Sequence, residues 1–239
     1  EMGLICSDLG ATYVCGQDGG GTEFRYNWCH DNRAVHLQMG IYLDNFTQNY
    51  FVHHNVCWGM NADGIRLNKP SAYNIVANNT VLSYMSNWGR WKTDWMYGCL
   101  YANNLSTRYI SPHPQAIELH NATDLAEPIL SLTNYKAPGT GRDAGIVLPG
   151  VTDGFQNTAP DLGAYEYGLT PWTAGHDFST KPAPDFTPTS TPLRNVVQHG
   201  SFDWVEFGRG LGPWETRGKA EIKVIRGNGG ISSSYTTRD

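Results

Sequence analysis

A right-handed parallel β-helix, with three short strands per rung, is the fold the sequence predicts. Three observations predict it. Asparagine recurs as a corner in EFRYNWC (23–29), FVHHNVC (51–57), IVANNTV (75–81) and LYANNLS (100–106), at Asn27, Asn55, Asn79 and Asn104, in steps of 28, 24 and 25 residues. An apolar residue (Phe24, Val52, Val76 or Tyr101) lies three places before each corner. The segments GIYLDN (40–45) and GIRLNK (64–69) repeat in the same step of 24 as Asn55 and Asn79. A period near 25 with strands too short for a hairpin core marks units that bury their faces only by stacking. A side-chain amide both donates and accepts, so stacked asparagines can bond to one another and to the turn backbone.

Composition agrees. Of 239 residues, 40% are hydrophobic and 16% charged, and 27 glycines with 13 prolines favour turns over long helices. A net charge of −5 offers no basic face for nucleic acid. No apolar run approaches the 18 residues of a membrane span. The chain opens at Glu1 without a methionine-led signal segment, which reads as a processed protein or a fragment. Five cysteines and 21 Trp or Tyr residues fit a secreted, sugar-handling protein.

Taken in order, Thr12–Gly16 reads as the first-sheet strand of a rung turning through Gln17–Gly21 into Glu23–Tyr26. Because that rung is already regular, the helix is expected to begin partway along. The central rung follows: a strand at Ile41–Asn45, a turn at Phe46–Tyr50, a strand at Phe51–His54, the Asn55 corner and a strand at Val56–Trp58. Alternation puts Ile41, Leu43, Ile65 and Leu67 inside and Tyr42, Asp44, Arg66 and Asn68 outside. Met85–Tyr97, with Trp88, Trp91 and Trp95, breaks the period and reads as an inserted loop. AIELHN (116–121) is a candidate further rung with Ile117 and Leu119 inward. The repeat frays over Ala122–Gly154, where Lys136–Gly150 reads as irregular chain. Phe178–Pro192 is a proline- and threonine-rich linker. The expected domains are a β-helix over 1–175, a linker over 176–192, and a short β segment over 193–239.

GGGTEFRYNWCHDN (19–32), GIYLDNFTQNYFVHHNV (40–56) and APDLGAYEYG (159–168) resemble segments of secreted right-handed β-helix proteins of the pectate-lyase-like superfamily. The resemblance covers roughly residues 1–175. It implies that the last segment closes the helix domain, and that a substrate groove follows the outer face of the first sheet between loop walls. The superfamily holds polysaccharide lyases, glycoside hydrolases, epimerases and non-catalytic spikes, so it fixes no reaction. Leu193 onward resembles the opening of a jelly-roll carbohydrate-binding module, with His199–Phe202 as its first strand and Pro213–Trp214 after it. The remaining 47 residues are too few for a two-sheet sandwich of roughly 100.

Mapped onto that groove, the outer face carries Tyr42, Asp44, Arg66 and Asn68. The loop before Gly40 carries His30, Asp31 and His36, and the loop before Gly64 carries Asn61 and Asp63. Asp44 and Arg66 fall on adjacent rungs, where a guanidinium can hold a carboxylate ionised or simply form a surface ion pair. Glycoside hydrolysis needs two carboxyl groups about 5 to 9.5 Å apart, which Asp44 with Asp31 or Asp63 can supply. Uronate lyase chemistry needs a neutralised substrate carboxylate and a base, from Arg66 with His30 or His36, or from calcium at Asp44 and Asp63. The hydrolase requires no cofactor. Hydrolysis is slightly preferred because carboxylates outnumber basic residues near the groove. The third possibility is a non-catalytic glycan-binding or adhesive β-helix whose tryptophans, Trp91 among them, stack on sugar rings. The expected partner is thus a polysaccharide or oligosaccharide.

His53 and His54, with Glu23 and Arg25, fall on the second strand, facing away from the groove, and read as structural. No HExxH or paired CxxC spacing points to zinc. Gly19–Gly21 reads as a tight turn. Cys29 and Cys57, each two places past a corner, should stack as a disulfide or a close thiol contact. Cys6 and Cys15 are a candidate second bridge, leaving Cys99 odd.

Overall fold

In a computed structural model the described residues are 6–88, 94–109, 113–123, 141–174, 220–227 and 230–237. Every element among them is a β-strand, and the rungs stack in parallel as a β-helix. Rung one comprises β1 (Leu9–Val14), β2 (Glu23–Arg25) and β3 (Trp28–His30). Rung two holds β4 (Gln38–Leu43), β5 (Phe51–His53) and β6 (Val56–Trp58). Rung three holds β7 (Asp63–Asn68), the short β8 (Ser71–Ala72) and β9 (Ile75–Ala77). The nine-residue β10 (Thr80–Trp88) runs from the third face of rung three into the first face of rung four. Rung four continues with β11 (Met96–Tyr97), β12 (Leu100–Ala102) and β13 (Leu105–Tyr109), and β14 (Ile117–Leu119) begins a fifth.

The register is the one the repeat predicts. Ile41 pairs with Ile65, Tyr42 with Arg66 and Leu43 with Leu67. The interior is filled from three sides: Ile41, Leu43, Ile65, Leu67 and Met85 from the first, Val52, Val76 and Tyr101 from the second, and Cys29, Cys57 and Val81 from the third. This closed apolar column is the main stabilising term, since each side chain leaves water only when its neighbours stack.

At every corner the asparagine Oδ1 accepts both the backbone N–H and the Nδ2 of the asparagine one rung earlier. These bonds measure 2.9–3.1 Å from Asn27 through Asn55, Asn79 and Asn104 to Asn121. Each corner turns through a left-handed residue just before the asparagine: Tyr26, His54, Asn78, Asn103 and His120, with φ between 49° and 55°. That conformation costs a non-glycine residue roughly 1–2 kcal/mol, so the ladder must hold it in place. Its outward side chains consequently form a second stack beside the asparagines, with Tyr26 on His54 at 5.2 Å.

Several expectations change. Ile117 and Leu119 are exposed, at 52% and 39%, in a strand that pairs with β12 on the second face. Glu118, which pairs with Tyr101, is exposed as well. Met85–Tyr97 is not wholly an inserted loop: Met85–Trp88 completes β10 against β7, and Met96–Tyr97 pairs with β8. Trp95 is buried, stacked with Tyr97 at 5.8 Å. Trp91, the 178–192 linker and His199–Trp214 lie outside the described residues. The chain divides into two units, Glu1–Thr191 and Pro192–Asp239, and the second contains an antiparallel hairpin of β15 (Ala220–Gly227) and β16 (Gly230–Thr237).

Cys29 and Cys57 oppose each other in register, with their thiols in hydrogen-bond contact, and all five cysteines are free. The close-contact alternative therefore holds, and the Cys6–Cys15 bridge does not form. Gly40 makes room for the thiol pair: a Cβ there would lie 2.5 Å from the Gly64 carbonyl oxygen and 3.1 Å from Cys57 Sγ. Backbone cannot retreat as a flexible side chain can. Gly40→Ala is therefore expected to lower stability by about 1–3 kcal/mol, read from the urea midpoint; an unchanged midpoint would refute this packing.

Candidate functional site

The outer face of the first sheet carries the expected polar residues, but they are bound to one another and mostly buried. Tyr42, Arg66 and Asn68 are 2%, 8% and 8% exposed. Asn68 Nδ2 donates to both Tyr42 Oη and Asp44 Oδ1 at 2.7 Å, and Tyr13 Oη donates to Asp44 Oδ2 at 2.7 Å. Tyr13 meets Tyr42 edge-on at 5.1 Å, and the Arg66 guanidinium lies 5.8 Å from the Tyr42 ring centre. Burial first, and then the neighbouring Asp44 charge, push the Tyr42 hydroxyl upward, so it remains a neutral hydrogen-bonding group.

Arg66 does not pair with Asp44. Its Nε and terminal nitrogen both engage Asp63 three residues earlier, at the start of β7 rather than in a loop. The i,i+3 partner lies on the same strand, so its reach needs no help from rung spacing. Burial still raises the Asp63 carboxyl above its ordinary value, partly offset by Arg66. The expected Asp44–Arg66 pair is thus replaced by Asp63–Arg66 and by an Asp44 held by Tyr13, Asn68 and its neighbour's backbone N–H (Asn45, 2.8 Å).

Asp31 and His30 belong elsewhere. His30 is the last residue of β3, on the third face, not in a loop. Its Nδ1 lies 2.9 Å from Asp31 Oδ2, and that contact holds the Asp31 carboxyl below its usual range. The His30 ring stacks flat on Trp58, at 4.4 Å and 3°. His36 is exposed in the 31–37 loop, where its carbonyl accepts the Asp8 N–H. Asn61 exchanges hydrogen bonds with Gln38. Asp31 and Asp44 therefore belong to different parts of the rung, third and first.

A different cluster, which the sequence reading did not assemble, forms where APDLGAYEYG meets the asparagine corner. That segment does not simply close the end of the helix; it lies along its flank. Asn78 Nδ2 donates to the carbonyls of Asp161 and Gly163, Ala164 N donates to Thr80 Oγ1, and Gly163 N donates to the Asn103 carbonyl. Tyr165 and Ala164 pack on Val56 together with Trp28, Trp58, Leu82 and Trp172. Trp28 Nε1 donates to Tyr165 Oη at 3.0 Å, and Trp172 Nε1 donates to the Ala164 carbonyl at 2.9 Å.

These contacts join the rings into a band. From His30 on Trp58 it passes to Trp28 at 6.1 Å, to Trp172 at 6.2 Å, then to Tyr165 and Tyr26 at 4.9 and 5.2 Å, and from Tyr26 to His54. Tyr26 is 42% exposed. The Tyr26, Tyr165 and Trp172 end opens into a cleft of about 160 Å³, also bounded by His54, Asp153 and Glu166. Corner spacing placed Cys29 and Cys57 on these strands but did not single out Trp28 and Trp58, nor their meeting with Trp172.

His53 is buried and His54 partly so, and their Nδ1 atoms lie 3.0 Å apart. Burial, then the neighbouring His54 and Arg25, push His53 down to about 3; burial and Arg25 push His54 down to about 4. Glu23 Oε2, 3.8 Å from His53 Nε2, pulls the other way but is outweighed by desolvation. No group of three or more His, Cys, Asp or Glu among the described residues is placed to hold a metal ion. No protein-family profile, curated protein or solved structure matches this chain.

Proposed function

We propose that this β-helix is the glycan-binding part of a secreted, carbohydrate-active protein, and that saccharide rings stack on the band from Tyr26 and Trp172 towards Trp58. The observation that carries this reading is a row of coupled aromatic rings ending in an open cleft with carboxylates at its side. A sugar ring presents C–H faces to an aromatic surface and hydroxyls to carboxylates, and the arrangement offers both. Stacking needs no cofactor.

The resemblance to pectate-lyase-like β-helices supports the carbohydrate class and the extracellular setting. Binding is preferred over cleavage because the first-sheet groups are engaged among themselves. Asp63 is committed to Arg66, and Asp44 to Tyr13 and Asn68. Neither a hydrolase carboxylate pair nor an arginine free for a uronate is left on that face among these residues. Glycoside hydrolysis or uronate lysis at Asp44, Asp63 and Arg66 becomes the reading to defeat.

On a glycan panel followed by tryptophan fluorescence, Tyr26→Ala and Trp172→Ala should each weaken binding about tenfold, the loss of one good stacking contact. Asp44→Ala should leave affinity unchanged. Turnover by the unmutated protein that Asp44→Ala abolishes would establish the enzyme instead. New reducing ends would then mark hydrolysis, and absorbance near 235 nm (roughly where unsaturated uronates absorb) would mark lysis.

A further inference from the structure

We infer that the cleft takes an oligosaccharide without carboxylates and turns polyuronates away, an inference that rests on the glycan-binding reading above. The carbohydrate class alone leaves neutral, acidic and amino sugars open. The charges around the cleft set the acidic ones apart.

Among the described residues seventeen line the cleft, and none of these is Lys or Arg. Two of them are carboxylates, Asp153 and Glu166. Glu166 is held in place: Oε1 accepts the Gln156 N–H at 3.0 Å and Oε2 the Asp161 N–H at 2.9 Å. Asp153 is exposed, with Oδ2 accepting the Gly150 N–H at 3.0 Å. The one histidine in the lining, His54, is neutral at physiological pH because burial disfavours its charged form. The Arg25 guanidinium lies 5.8 Å from the Tyr26 ring centre and is engaged by Glu23 at 3.2 Å. Arg142 is stacked on Tyr167 at 3.6 Å and is not part of the lining.

A uronate chain carries one carboxylate per residue. Docked along Tyr26 and Trp172, it would bring like charge against Asp153 and Glu166 with no Lys or Arg among the described lining residues, and with Arg25 beside Tyr26 already paired to Glu23. Like charges across a partly desolvated cleft cost of order 1 kcal/mol each, enough to separate two saccharides of otherwise similar stacking. A neutral saccharide keeps the stacking and uses carboxylate oxygens as acceptors for its hydroxyls. The aromatic wall therefore supplies affinity, and the acidic side supplies selection.

The test is titration of the whole chain with neutral gluco-, manno- and xylo-oligosaccharides, with oligogalacturonate, and with glucosamine oligomers, in low salt and in 0.5 M salt. The expected result is neutral binding that Trp172→Ala weakens, with oligogalacturonate about tenfold weaker or worse at low salt. Screening should narrow the gap in high salt. Asp153→Lys should narrow it as well, read as the ratio of the two affinities. The salt series on the unmutated protein stands alone if that variant does not fold. Oligogalacturonate binding as tightly as the neutral sugars, with the same Trp172 dependence, would overturn the inference and leave the glycan reading intact. Glucosamine oligomers, whose ammonium groups the two carboxylates attract, should bind at least as tightly as neutral ones at low salt; weakening like that of oligogalacturonate would overturn the electrostatic argument. If no saccharide binds in a Trp172-dependent way, the proposed function itself falls, and this inference with it.

Discussion

Replacing Asn79 by alanine is expected to cost about 4 kcal/mol or more, the largest effect of any single substitution in the ladder. Asn79 is fully buried. Its Oδ1 accepts the Asn55 N–H and Nδ2, while its own Nδ2 donates to Asn104 Oδ1 and to the carbonyls of Val52 and Ala77. The variant leaves the buried Asn55 N–H without its acceptor and takes a donor from acceptors on three rungs, at Val52, Ala77 and Asn104, each worth about 1–3 kcal/mol when unsatisfied. Asn78, left-handed at φ 49°, also loses the bonds that hold its corner. Asn27→Ala, at the half-buried end of the ladder, should cost far less because water can replace what is lost. Urea unfolding checks both; equal losses at Asn79 and Asn27 would show that the ladder is not the cooperative element.

The second large effect is on pH. His53 and His54 have folded values near 3 and 4, below the ordinary 6.5. Above about pH 6.5 both states are neutral and the pair contributes no pH dependence. Below it the unfolded chain binds two protons that the folded chain refuses, so stability falls as pH drops from 6.5 towards 4. The loss over that window is on the order of 5 kcal/mol. Asp63 and Glu166, raised by burial, act with the opposite sign and take back a little of it. Folding free energy measured in urea from pH 7.5 to 4.5 should show a slope approaching two protons. His54→Asn, which suits the left-handed corner, should remove about half of that slope. A flat profile would mean that these histidines are hydrated in the folded protein.

The fold was legible because its signal is linear. A stacked rung repeats the same demands every 25 or so residues, so Asn27, Asn55, Asn79 and Asn104 announce themselves by spacing. Inner residues such as Ile41 and Ile65 announce themselves by alternation. The same logic placed Cys29 opposite Cys57. It failed at Ile117 and Leu119, where one apolar alternation fits a first-face or a second-face strand equally well and only pairing with Leu100–Ala102 decides. It failed again at Met85–Trp88, where β10 crosses from one face to the next without a turn residue to mark the change.

The candidate site was less legible, for a physical reason. Alternation along a strand fixes which side chains face outward, and Tyr42, Arg66 and Asn68 were assigned on that ground. It does not fix which outward residues stay in contact with solvent. Asp44 accepts hydrogen bonds from a tyrosine 31 residues away and an asparagine 24 away. Trp28 meets Tyr165 across 137 residues. Repeat, register and corner chemistry follow from the chain itself, because each is set by neighbours one period apart. Which polar face is tied up and which aromatic face opens into a cleft depends on where APDLGAYEYG folds back. That was decided only by tertiary contacts, which have no period to read.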